Sequence, residues 1–267
     1  MENLILELSI YLLTGAVVGF LAGLLGIGGG LVIVPVLTSA LFYFTGSEHA
    51  VHMAIATSLA TILITSFSSV RTHHQHNAVR WDVFKLLALG VLVGAFIGGW
   101  ASQYFTGRQL AVIFGILELL IAINMLMAKK PNPSRTLPGF WANSFVGILI
   151  GKFASIVGIG GGTLTTPYLV WNNISMHQAI ATSAAISLPV AAAGTIGYIL
   201  AGLNLQDLPA LSSGYVYWPA FFGIIASSIF FAPLGAKMAH RLNPKPLKRF
   251  FGIFLLILAI KMLFFST

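Results

Sequence analysis

Val18-Gly-Phe-Leu-Ala-Gly-Leu-Leu-Gly-Ile-Gly-Gly-Gly-Leu-Val-Ile-Val-Pro35 returns 132 residues later as Ile150-Gly-Lys-Phe-Ala-Ser-Ile-Val-Gly-Ile-Gly-Gly-Gly-Thr-Leu-Thr-Thr-Pro167. Both copies carry Gly-Ile-Gly-Gly-Gly, at Gly26 to Gly30 and Gly158 to Gly162, followed five residues later by proline. Glycine weakens a helix by about 1 kcal/mol per residue relative to alanine, so a helix is expected to end in each motif. Pro35 and Pro167 are expected to restart it, because proline suits the first helical position and its predecessor avoids helical angles. Thr166 is then placed to cap the second restart.

The repetition extends outward. His52-Met-Ala-Ile-Ala-Thr-Ser58 matches His177-Gln-Ala-Ile-Ala-Thr-Ser183, and Ala122-Ile-Asn-Met-Leu126 matches Ala259-Ile-Lys-Met-Leu263. The chain therefore divides into a first repeat over 1–128, a linker over 129–141 and a second repeat over 142–267. Each half reads as a first apolar segment (4–25; 142–157), a short one after the glycines (35–44; 167–173) and a longer helix (50–70; 178–200). Two more helices follow in each, over 83–104 and 109–128, then 215–236 and 248–265.

Composition places these helices in a bilayer. Of 267 residues, 57% are hydrophobic and 7% charged, with a mean hydropathy of +0.93, whereas a water-facing surface takes roughly 25–35% charged residues. The absence of cysteine excludes disulfides, thiolate metal sites and cysteine nucleophiles. The net charge of +8 does not point to nucleic acid, because it is distributed as topology requires. Eleven of the fourteen basic residues fall in 71–85, the linker and 237–249, while the turns near 45–49, 105–108, 172–176 and 201–214 hold Arg108 alone. The basic side is expected to be cytoplasmic. Loops 71–85 and 201–214 occupy the same repeat position yet differ in charge, so the halves are expected to be oppositely oriented. The fold expected is an all-α polytopic membrane protein of two inverted-topology repeats, with helices broken or re-entrant at the glycine motifs. Five spans per half, or three plus a re-entrant hairpin, both satisfy it. Either puts the N-terminus outside and the linker inside, and no cleavable signal is expected.

Non-helical backbone at membrane depth is tolerated where it is buried or lines a polar cavity. Free amides beside a helix N-terminus attract an anion, and inverted repeats bring such breaks together around a transport site. Gly28, Gly29, Gly30, Gly160, Gly161 and Gly162 are thus candidate substrate-binding residues. Thr163 beside the second motif, and the repeat-related Thr57-Ser58 and Thr182-Ser183, are candidate hydroxyl donors. Lys152 replaces Phe20 of the first repeat; it either offsets an anion or snorkels to the interface. Glu118, midway along its helix, is a candidate proton-coupling site or a neutral carboxyl locking helices together.

The glycine-rich segment with a downstream proline in each half, the repeat layout and the Ala-Thr-Ser helix resemble the sulfite exporter TauE/SafE family of bacterial membrane permeases, over essentially the whole chain. The resemblance implies transport, commonly export, of sulfite or an organosulfonate such as sulfoacetate across the bacterial cytoplasmic (inner) membrane. A small anion and the bilayer are the partners expected; no cofactor, no nucleic acid and no enzymatic activity are expected. The competing reading is a divalent-metal permease or sensor using His73, His74 and His76, expected in a polar loop.

Overall fold

The computed structural model describes residues 2–25, 29–127, 136–239 and 244–264. Ten helices are described: α1 (Glu2–Leu25), α2 (Gly30–Thr45), α3 (Ala50–Gln75), α4 (Trp81–Ala101), α5 (Gly107–Met127), α6 (Phe140–Val157), α7 (Gly162–Trp171), α8 (Met176–Gly202), α9 (Trp218–Ala239) and α10 (Pro244–Phe264). A 3₁₀ turn over Ser102–Tyr104 links α4 to α5, and a hairpin of β1 (Ser212–Ser213) and β2 (Val216–Tyr217) precedes α9. The chain is thus an all-α polytopic membrane protein. Five described helices are long and apolar enough to cross a bilayer, and Leu6–Ala22, Gly30–Thr45 and Trp218–Ala232 are shorter apolar helices. The ten residues of α7 rise only about 15 Å, half the hydrocarbon thickness.

The helices do break at the glycines, but the restart differs from expectation. Gly158 takes a left-handed φ of +72° at the end of α6. Its amide reaches the Ser155 carbonyl, and the next amide, of Ile159, reaches back to Ala154, a Schellman closure that glycine makes without strain. The restart comes at Gly30 and Gly162, so Pro35 and Pro167 lie inside α2 and α7. Proline removes one helical hydrogen bond there, and burial of Pro35 and its neighbours Leu31 to Val34 in α2 holds the turn together. Thr166 consequently does not cap α7. Gly26 and Gly28 lie outside the described residues.

Four packings recur when the halves are exchanged, while α4 lies far more closely on α8 than α9 does on α3. α1 packs on α9 as α4 packs on α6; α2 joins α3 as α7 joins α8; α3 lies against α8, and α5 against α10. α3 and α8 run antiparallel, since Leu59 meets Gly194 near the end of α8 while Val70 and Val79 cluster with Ala181 and Ala185 near its start. α5 and α10 do the same, with Gly115 against Leu263 and Gly252 against Leu126. The α4–α6 contact is a close approach of small residues. Gly90, Gly94 and Gly98 meet the backbone of Ser144, Ile148 and Lys152, and a methyl on Gly147 would stand 2.6 Å from the Leu87 carbonyl oxygen. Small residues at four-residue spacing are how membrane helices gain contact where lipid supplies no hydrophobic drive.

Two local features depart from the sequence expectation. The 201–214 segment does not end in open loop: its hairpin turns inward, burying Tyr215, Val216 and Tyr217. Arg108, the exception to the charge bias, donates from Nη2 to the Leu263 carbonyl at 2.6 Å. It thereby satisfies a helix C-terminus, where a cation is favoured.

Candidate functional site

The two glycine breaks meet. A methyl on Gly30, at the first break, would lie 2.5 Å from the Gly158 carbonyl oxygen and 3.0 Å from Ile159 Cα, at the second. Ser58 of α3 donates to that same Gly158 carbonyl at 2.9 Å, so α3 from the first half braces the break of the second. Gly29 and Gly161 are the N-caps of α2 and α7, and neither helix start receives a side-chain cap. The starts of both short helices thus lack a side-chain capping oxygen, the arrangement that draws negative charge to a helix N-terminus.

Hydroxyls gather at the second break. Thr166 Oγ1 donates to Ser183 Oγ at 2.9 Å, fastening α7 to α8. Ser187, one turn beyond Ser183, returns its proton to the Ser183 carbonyl at 3.0 Å, and its Oγ lies 3.0 Å from where a methyl on Gly160 would stand. Thr165 is fully buried, and its Oγ1 lies 3.5 Å from the corresponding position at Gly161. The Oγ1 atoms of both Thr163 and Thr165 are buried with no hydrogen-bond partner among the described residues. A methyl on Gly162 would meet only Ser187 Oγ, at 3.7 Å. Thr165 and Ser187 were missed by reading repeats, because their repeat partners are Ile33 and Ile62. The signal was the polar departure from symmetry itself, Thr-Leu-Thr-Thr against Leu-Val-Ile-Val.

The other expected residues lie elsewhere. Thr57 and Thr182 are taken up in two repeat-related contacts between the halves. Thr57 Oγ1 accepts from the Tyr217 amide at 3.0 Å, and Thr182 Oγ1 accepts from the Arg80 amide at 3.0 Å. Each amide immediately precedes the fourth helix of the opposite half. Each is also tied down through its side chain. Tyr217 Oη donates to Glu7 Oε1 at 2.9 Å, as Tyr11 Oη does at 2.8 Å, while Arg80 forms a two-pronged pair with Asp82. Burial, then the bond to Glu7, raises the Tyr217 phenol above its ordinary pKa; the bonds that Arg80 donates to Asp82 raise its guanidinium.

Lys152 does not converge on the breaks. It is exposed, on the face of α6 that also shows Phe145, Leu149 and Phe153, which is the outward apolar stripe of that helix. Glu118 is fully buried in α5, and neither carboxyl oxygen has a hydrogen-bond partner among the described residues. His73 and His74 belong to the last turn of α3, not to a loop. His74 Nδ1 accepts from Trp81 Nε1 at 3.2 Å, and His76 Nδ1 lies 2.8 Å from the Thr72 carbonyl. Among the described residues no three His, Cys, Asp or Glu gather as metal ligands. His52 is buried, its Nε2 held by the Ser102 and Phe105 carbonyls.

Residues 11–262 match the family described as Sulfite exporter TauE/SafE. A protein of Haemophilus influenzae named "Probable membrane transporter protein" is 38% identical over 253 residues, spanning 94% of this chain and 96% of its own length. A similarly named protein of Methanocaldococcus jannaschii is 28% identical over 266 residues, 97% of this chain and 96% of its own. One of Bacillus subtilis is 24% identical over 279 residues, 96% of this chain and 97% of its own. No solved structure matches the chain.

Proposed function

Because this chain belongs to the sulfite exporter TauE/SafE family, we propose that it exports a small sulfur-containing anion, sulfite or an organosulfonate such as sulfoacetate, across the bacterial cytoplasmic membrane by alternating access. It is a multi-pass membrane transporter; the substrate, the direction and the mechanism are the proposal. The observation that carries it is the close approach of the α2 start, at Gly30, to the second glycine break at Gly158 and Ile159, with the unpartnered hydroxyls of Thr163 and Thr165 just beyond that break and no side-chain cap on α2 or α7. There backbone amides and hydroxyls replace the water an anion loses.

The halves act as inverted repeats, with the N-terminus outside and the 129–141 linker cytoplasmic. The antiparallel α3–α8 and α5–α10 pairs support this, since repeat-equivalent helices that pack antiparallel suit a twofold axis lying across them. Alternation then has a structural counterpart in the two inter-half hydrogen bonds. Thr57 to Tyr217 closes one end and Thr182 to Arg80 the other, and rocking opens one at a time. Glu118, buried without a partner, serves as the proton-coupling group, since an ionisable residue inside a bundle is costly and kept for function.

The test is sulfite efflux from proteoliposomes holding the purified protein. At Gly162 an added β-carbon would have only Ser187 Oγ within 4 Å beyond its own helix and chain neighbours, so Gly162→Val is the substitution to test. The fold should therefore persist, while efflux falls by about tenfold or more, the equivalent of losing 1.4 kcal/mol of binding. Unchanged efflux in a folded variant refutes the site.

A further inference from the structure

Among the described residues, the junction of the breaks is made of neutral donors, and this constrains the charge of what it holds. Thr165 presents a fully buried hydroxyl without a partner against Gly161, and Thr163 presents a second one. Ser187 stands beside Gly160 and Gly162, and the start of α7 is uncapped by any side chain. Among the residues whose burial is described, no fixed cation joins them: Arg71, Arg80, Lys85, Arg108, Lys152, Arg249 and Lys261 are all exposed or half-buried. The one buried Asp, Glu, Lys or Arg among them is Glu118, which is acidic.

The cost of taking an ion out of water rises with the square of its charge, while its attraction to fixed dipoles rises only in proportion. A helix N-terminus supplies the equivalent of about half a positive charge, and each hydroxyl a dipole. Removing a single charge from water costs several kcal/mol even after relaxation, a sum that a few good hydrogen bonds to the ion, at roughly 1.5–3 kcal/mol each, can meet. For two charges the cost quadruples and the return only doubles. A neutral cage that balances a singly charged ion is therefore far out of balance for a doubly charged one.

We infer that the site narrows the proposed substrates to singly charged oxyanions: the hydrogen sulfite form of sulfite and simple monosulfonates, ahead of the sulfite dianion and of sulfoacetate, whose carboxylate brings a second charge. The inference rests on the proposed placement of the substrate at the glycine breaks. The asymmetry of the halves fits it. The second half supplies the hydroxyls, whereas the first carries the apolar Leu31, Val32, Ile33 and Val34 in the same register, with Val34 Cγ2 3.1 Å from the methyl position at Gly158.

The experiment is uptake and efflux in proteoliposomes with three probes: sulfite, methanesulfonate and ethane-1,2-disulfonate. Methanesulfonate, singly charged throughout, should be carried at a rate flat across neutral pH, whereas sulfite flux at fixed total concentration should fall about tenfold per pH unit once hydrogen sulfite becomes the minor form. Ethane-1,2-disulfonate should compete at least ten times more weakly than methanesulfonate. Thr165→Val should lower methanesulfonate flux several-fold, and Thr165→Ser should restore it. Disulfonate competing as well as methanesulfonate, or sulfite flux that keeps pace with the dianion, overturns the charge selection. If none of the three is carried by protein that remains folded, the anion-transport reading itself falls.

Discussion

Thr57→Val and Thr182→Val are the sharpest perturbations available, because valine keeps threonine's shape and removes one acceptor at repeat-equivalent positions. The losses are unequal. The Thr57–Tyr217 bond is fully buried, whereas the Thr182–Arg80 bond is only partly so. A buried amide left without an acceptor costs about 1–3 kcal/mol, which in a chain of this size lowers Tm by roughly 2–12 °C. At the Arg80 amide water can substitute, so Thr182→Val should cost about 1 kcal/mol or less. The gating role makes a second, independent claim. If each bond closes one end, removing 1–3 kcal/mol from one shifts the equilibrium toward opening that end by about 5–150-fold. The chain contains no cysteine, so Thr163→Cys offers a single thiol at the junction for a membrane-impermeant maleimide. Thr57→Val should speed labelling from the side of the 201–214 segment, and Thr182→Val from the opposite side. Labelling that rises from the same side in both, or in neither, refutes the gating argument whatever happens to Tm.

Gly30→Ala sets a methyl 2.5 Å from the Gly158 carbonyl oxygen, so it should force the breaks apart and cost about 1–3 kcal/mol in thermal unfolding, whereas Gly162→Ala should be nearly silent there. Gly147→Leu should separate α4 from α6 and lower the yield of folded protein in detergent by size-exclusion chromatography, since its close contacts are backbone. Glu118→Gln keeps the shape of a buried carboxyl that has no described partner; it should leave stability within about 1 kcal/mol and abolish the response of flux to an imposed proton gradient. Lys152→Gln, on the outward face of α6, should leave KM unchanged, and a KM raised tenfold would return that lysine to the site.

The repeat, the helical breaks and the five elements of each half are local or periodic properties, written into Gly26 to Gly30, Gly158 to Gly162 and the hydropathy between them, so reading the chain alone recovered them. The charge bias is equally a property of the sequence, because it is a matter of where Lys and Arg fall along the chain. Helix starts were less so. Pro35 and Pro167 look like first helical residues, yet each helix starts five residues earlier, at Gly30 and Gly162, and in α2 burial around Pro35 offsets the missing hydrogen bond. The site was legible in outline and not in its members. Thr57 and Thr182 looked like substrate donors from their symmetry, but a hydroxyl is both donor and acceptor, and only packing showed the amides of Tyr217 and Arg80 beside them. Thr165 and Ser187, with no polar repeat partner, became visible only when α7 and α8 closed around the glycines. Lys152 drew notice as a charge at depth, and the rotation of α6 against α4, set by Gly90, Gly94 and Gly147, turned it outward. Sequence by itself determined that two half-chains break their helices at matching glycines inside a membrane. Only the tertiary structure decided which hydroxyls are spent holding the halves together and which stay unpaired at the junction, because hydrogen-bond partners come from segments more than a hundred residues apart.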